Sequence, residues 1–95
     1  FERNYHDVWA EFDQAILVNA DLSQAKLFGG SFAGATLTGA GFDQADLRNA
    51  NFQNAKLEGV SFTDCRVRGA RFLGAKGISQ AQRRWLKRHG ASGLQ

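Results

Sequence analysis

The side chains able to do chemistry are few and scattered. His6 and His89 stand at opposite ends of the 95 residues, and Cys65 is the only cysteine. No Cys/His cluster has the spacing of a metal site. No glycine pattern matches a phosphate- or dinucleotide-binding loop. No nucleophile, base and orienting group can be assembled from the sequence. The carboxylates Asp21, Asp43, Asp46 and Asp64 fall at surface positions of a repeat, where an acid is an ordinary choice. The expectation is therefore a chain with no catalytic residues, no metal and no cofactor. The chemistry that does stand out is charge. Arg66, Arg68, Arg71, Lys76, Arg83, Arg84, Lys87 and Arg88 follow one another with no acidic residue after Asp64.

That charge is segregated along the chain. Residues 1–47 carry a net −5 and residues 48–95 a net +8, within an overall +3. Such asymmetry points to electrostatic contact with a partner at one end. An anion-binding end could take nucleic acid, an acidic surface or an acidic protein, with Trp85 among the arginines able to stack or insert. Nothing in the sequence resembles a known nucleic-acid module. Acidic and basic ends could also pair head to tail.

What must position these groups is a five-residue repeat. Phe12, Leu17, Leu22, Leu27, Phe32, Leu37, Phe42, Leu47, Phe52, Leu57, Phe62, Val67 and Phe72 recur at every fifth position. Two residues before each stands a small one, from Ala10 through Gly30 and Cys65 to Ala70, with Val60 the largest. The apolar spacing alternates between two and three. A helix wants three and four, and a strand two throughout. A short extended piece followed by a tight turn satisfies the pattern, with the small and large residues both facing inward. The last position of each unit is Gly, Asn, Asp or Gln. Gly and Asn suit the left-handed turn geometry, and Gln fits it less well.

The triplets Ala20-Asp21-Leu22, Ala45-Asp46-Leu47 and Ala50-Asn51-Phe52 resemble the alanine-(aspartate/asparagine)-leucine unit of the pentapeptide-repeat family, and the resemblance covers thirteen consecutive units. It implies an all-β solenoid, a right-handed quadrilateral β-helix with four units per coil. Thirteen units make about three and a quarter coils, roughly 15 Å tall at the strand spacing. Residues twenty apart should then stack. Phe12, Phe32, Phe52 and Phe72 form an all-Phe column, and Leu17, Leu37 and Leu57 an all-Leu column. Cys65 reads as a buried small residue rather than a reactive thiol.

Outside the shaft, Lys26, Asp46 and Arg66 form one column, read as a ladder of cross-coil ion pairs. Beside it run Phe28, Arg48 and Arg68. Phe28 is expected to stack with Arg48, and the like-charged Arg48 and Arg68 make this the candidate binding face of the shaft. Residues 1–9 read as an N-terminal cap, with Asn4 and Asp7 starting a short helix and Phe1, Tyr5, Val8 and Trp9 covering the open end. Residues 10–76 form the β-helix. At Gly77 the register breaks. Ser79 and Gln82 make a capping box for a helix that Gly90 ends, within a capping segment 77–90 whose Trp85 is expected to seal the last coil. Residues 91–95 read as a frayed tail.

The resemblance also bears on function. Some members of the family protect DNA gyrase by imitating duplex DNA, which calls for a long, acidic, dimeric rod. This chain is short and basic towards its C-terminal end. The expectation is a non-catalytic scaffold or protein-interaction module, bacterial and cytoplasmic, monomeric or weakly oligomeric, whose partner is another protein. Gyrase protection and anion binding stand as alternatives. No apolar run is long enough to span a bilayer, and a chain beginning at Phe1 is expected to be processed or trimmed.

Overall fold

The computed structural model describes residues 9–94. The N-terminal helix expected of Phe1 to Val8 lies outside the described residues. From Ala10 onward, parallel bridges join residues twenty apart: Glu11, Ser31, Asn51 and Arg71 on the first face, Ile16, Thr36, Lys56 and Lys76 on the second, Asp21, Gly41 and Ser61 on the third, and Lys26, Asp46 and Arg66 on the fourth. The coil is four-sided.

The five-residue unit closes because its ladder and turn amides have acceptors. In the unit that starts at Ala45, the Asp46 amide donates to Ala25 O at 2.9 Å, Leu47 to Arg66 O at 2.8 Å and Asn49 to Arg68 O at 2.9 Å. Across the turn, the next unit's Ala50 amide donates to Leu47 O at 3.0 Å. The ladder leaves one amide over, that of the fourth residue. Asp46 Oδ1 accepts it from Arg48 at 3.2 Å, as Asp21 does from Ser23 and Asn51 from Gln53. This is why Asp or Asn suits the second place of the unit: a short side chain can accept from the amide two residues on.

The fifth residue of each unit takes the positive φ that the third place of a type II turn requires. Gln14, Gln24 and Gln44 accept it at 61°, 63° and 65°. Glutamine here gains a cross-coil partner, since Gln24 Nε2 donates to Gln44 Oε1 at 3.1 Å.

Inside, the all-Phe column stacks nearly parallel. Centroids lie 5.2 Å apart for Phe12 and Phe32, 5.0 Å for Phe32 and Phe52, and 5.1 Å for Phe52 and Phe72. Phe42 and Phe62 stack at 5.8 Å on the third face and meet the first column edge to face, Phe52 lying 5.6 Å from Phe42 at 85°. Both arrangements are favoured by the ring quadrupole. Leu37 and Leu57 are fully buried, whereas Phe12 and Leu17 on the first coil are only partly so. From Ala35 to Ala70 the small-residue positions are buried too, and Val60 and Cys65 are the largest side chains they hold.

The fourth coil is completed by a different element. Gly77, at φ 88°, crosses so close over the Glu58 backbone that a side chain there would collide with it. The chain then turns into helix α1, Gln80–Arg88. The expected capping box is present, with Ser79 Oγ accepting from Gln82 N and Gln82 Oε1 from Ser79 N, both at 3.1 Å. At the other end Gly90 N donates to Lys87 O and Ala91 N to Leu86 O, a Schellman closure.

Two expectations change here. Leu86, not Trp85, fills the end of the core: Leu86 is fully buried and Trp85 half-buried. Trp85 lies to the side, stacked on His89 with centroids 4.1 Å apart. Nor do residues 91–94 fray. Ser92 bridges Arg71, its amide donating to Ala70 O and its carbonyl accepting from Phe72 N, both at 2.9 Å, and Leu94 is buried. The helix takes the place of the third face and most of the fourth, and the chain re-enters the ladder at Gly90, whose carbonyl accepts from Gly69 N at 2.9 Å, before pairing on the first face.

Candidate interaction surface

The outward columns are held by the same ladder that builds the core, so their geometry is set by backbone. Lys26, Asp46 and Arg66 sit in line on the fourth face. Asp46 does not pair up or down that line. Its carboxylate reaches sideways to Arg48 in its own unit, accepting from Nε at 2.9 Å and from Nη2 at 2.7 Å. The guanidinium fork gives Arg48 a two-point contact with the carboxylate that Lys26 cannot make. The Arg48 hydrogen bonds hold the Asp46 carboxyl below the usual range, with the charges of Arg48 and Arg66 adding to the effect despite partial burial. Arg48 is correspondingly raised by Asp46. Asp21 is lowered by hydrogen bonds from Ser23 alone, without a cation.

Arg48 also lies over Phe28, 5.4 Å from the ring centroid, as the column placement led us to expect. Trp9 meets Phe28 edge to face at 6.2 Å. Trp9 therefore lies along the side of the shaft by Phe28 and Gly29, half exposed. The order Trp9, Phe28, Arg48, Asp46 makes one continuous ridge, and Asp46 relieves the Arg48–Arg68 repulsion by neutralising Arg48.

The rest of the basic group collects at the C-terminal end. Arg66, Arg68, Arg71 and Lys76 stand exposed on the last units of the ladder, and Arg84, Lys87 and Arg88 on α1; Arg83 is half-buried. None of these eight forms a salt bridge among the described residues. Lys87 and Arg88 in the last turn also suit the negative end of the helix dipole. Arg48 adjoins Arg66 and Arg68 on the fourth face, and Phe28 lies one coil further from them.

Cys65 is buried as expected. Its Sγ–H donates to Phe42 O at 2.8 Å, and burial pushes the thiol pKa up to about 11. Among the described residues no group of His, Cys, Asp or Glu could hold a metal ion. No helix among them is long and apolar enough to cross a membrane.

Sequence reasoning missed the ground between α1 and the last full coil. A cavity of about 410 Å³ opens there, between Val60 to Asp64 on one side and Gln82, Trp85 and Leu86 on the other. A second, of about 500 Å³, adjoins it and is lined by Arg48, Arg66, Arg68 and His89. The signal that could have found it is Gly77, which marks where the ladder on two faces loses its next layer.

No curated protein matches the chain significantly. Nineteen solved chains do. A pentapeptide repeat protein from Nostoc PCC 7120 is similar at 19% identity and a TM-score of 0.52, covering 88% of this chain and 84% of that one. This likeness supports the right-handed, four-sided β-helix expected from the resemblance. A pentapeptide repeat protein of the Arabidopsis thaliana thylakoid lumen shares 27% identity over 86% of this chain and 75% of its own, with a TM-score of 0.40. HetL, a pentapeptide repeat protein involved in heterocyst differentiation regulation in Nostoc sp. strain PCC 7120, shares 26% over 70% of this chain and 41% of its own, with a TM-score of 0.35. A family model of pentapeptide repeats, in eight copies, matches residues 8–44, 31–64 and 45–76. With this match over most of its length, the chain belongs to the pentapeptide-repeat family.

Proposed function

We propose that the chain is a non-catalytic interaction module, a rigid shaft whose basic C-terminal end docks on an acidic surface of another protein. The observation that carries this reading is the group of eight Lys/Arg side chains from Arg66 to Arg88, unpaired among the described residues and with no Asp or Glu between them. Cations gathered without counter-charges repel one another, and an acidic partner relieves that repulsion. The rigid backbone beneath most of them lowers the entropy cost of binding. A duplex-imitating role towards gyrase needs an acidic rod, and the charge at this end favours the opposite pairing.

The test is binding of polyglutamate, duplex DNA and acidic vesicles at low and at physiological salt. Polyglutamate should bind and weaken steeply with salt. Reversal of Arg84, Lys87 and Arg88 to Glu should abolish the binding. Absence of polyglutamate binding at low salt would overturn the reading, and a marked preference for DNA or vesicles would reassign the partner.

A further inference from the structure

The last full coil keeps an open strand edge beside α1. In the regular ladder Phe42 N donates to Ser61 O at 2.9 Å, and Gln44 N to Thr63 O at 2.8 Å. One coil further on, the amides of Phe62, Asp64 and Val67 have no such acceptor among the described residues, because the chain leaves the ladder after Lys76 for α1 and supplies no next-coil carbonyls there. A neighbouring group on the same edge is satisfied by a substitute: Val60 O accepts from Gln82 Nε2 at 2.7 Å. Phe62 and Asp64 line the 410 Å³ cavity with Trp85 and Leu86, and Val67 lines the adjoining one with Arg66 and Arg68. An exposed row of strand amides is a template for adding a strand.

We propose that this edge takes an extended peptide segment of a partner protein, added parallel to the coil, with one apolar side chain followed about four to six residues later by acidic ones. Its carbonyls take the three amide protons. The apolar side chain enters between Phe62, Trp85 and Leu86. The acidic side chains then reach Arg66 and Arg68, which lack the carboxylate that Arg48 has in Asp46. Asp64 at the corner between the cavities disfavours an acid placed directly after the apolar residue. The order apolar-then-acidic is therefore set by the floor of the groove and by its charge. The inference rests on the reading of the basic end as a protein-docking surface and names what that end recognises.

The probe is a blocked synthetic peptide of about ten residues in a Gly/Ser/Thr background, with one leucine and two aspartates about four and six positions after it. Its companions are a shuffled peptide, with the aspartates before the leucine, and polyglutamate. The readouts are tryptophan fluorescence in a Trp9→Phe background, which reports Trp85 alone, and amide hydrogen exchange of the intact chain. In the free protein, Phe62 and Asp64 amides should exchange faster than those of Phe42 and Gln44. On binding they should slow by about tenfold or more, as a ladder hydrogen bond forms. Charge reversal at Arg66 and Arg68 should weaken the ordered peptide by about tenfold, and Trp85→Ala by a few-fold, with the fold intact by circular dichroism. Equal binding of the shuffled peptide, or unprotected amides with polyglutamate still bound, would overturn the groove and leave the basic end standing. No binding of any of the three at low salt would overturn both.

Discussion

The Oδ1 of Asn49 occupies the space in which a Cβ on Gly69 would have to sit, one coil above it in the same corner column. Asn19 stands in the same relation to Gly39, and Asn54 to Gly74. Each pair divides the corner between a side chain below and none above. Gly69→Ala should therefore cost more than the positive φ alone demands, about 1–3 kcal/mol in urea unfolding. Gly59→Ala is the control, because the nearest atoms to a Cβ there lie at 3.7 Å. Pairing Gly69→Ala with Asn49→Gly should recover part of the loss, and strict additivity would contradict the contact.

Phe52 is stacked between Phe32 and Phe72 and meets Phe42 and Phe62 at its edges. Phe52→Ala should cost roughly 3–5 kcal/mol, since the rigid ladder on four faces keeps the cavity from collapsing. Thr38→Ala removes only a long contact to Glu58 at 3.5 Å and should stay within about 0.5 kcal/mol. Equal losses at the two positions would contradict a core carried by the columns.

The Phe column could be read in advance. Phe12, Phe32, Phe52 and Phe72 recur every twenty residues, and a period that a backbone ladder enforces is visible in the letters alone. The choice of Asp46 was not. Lys26 and Arg66 share its column and Arg48 its own unit, and the sequence does not say which of them the carboxylate pairs with; the structure has Arg48. Trp85 and Leu86 are neighbours on a helix, about 100° apart, so a small rotation of α1 decides which one enters the core. The return of Ser92 to the ladder was hidden because the last coil has one residue more than its predecessors: Arg71 pairs with Ser92, whereas Asn51 pairs with Arg71.

The Asp46–Arg48 pair should show in titration more than in stability. Its folded-state pKa is depressed, so its contribution is present above the unfolded carboxylate pKa and is lost as pH falls through the folded value. In Arg48→Ala the Asp46 carboxyl should titrate at higher pH, followed by NMR. Because Arg48 is screened by solvent, the stability loss should be small beside the change in titration. An unmoved Asp46 titration would assign its depression to the Arg48 amide instead.

Cys65 should resist thiol reagents in the native protein and react on unfolding. Its pKa rises from 9.0 to about 11 because burial disfavours the thiolate. The unfolded chain therefore loses this proton first as pH rises. Stability from the neutral thiol is full below pH 9.0 and drains away towards pH 11. The difference in stability between wild type and Cys65→Ala should shrink over that window. A constant difference, or rapid labelling of the native protein near neutral pH, would contradict burial.

At the C-terminal end, the two adjacent apolar residues of α1 should behave differently. Leu86 is fully buried over the last coil, and truncating it removes packing on all sides. Leu86→Ala should cost about 2–5 kcal/mol. Trp85 stacks on His89 and borders an open cavity, so Trp85→Ala forfeits less burial despite the larger side chain. It should cost about 1–2 kcal/mol, with the helix still formed. Amide exchange of Phe72 and Ser92 separates the two variants further. These amides seal the first face where the chain returns after α1. Loss of Leu86 should speed their exchange, because the return segment is tethered through the helix that Leu86 anchors; loss of Trp85 should leave it unchanged. The reverse order of effects would restore the tryptophan as the seal of the coil.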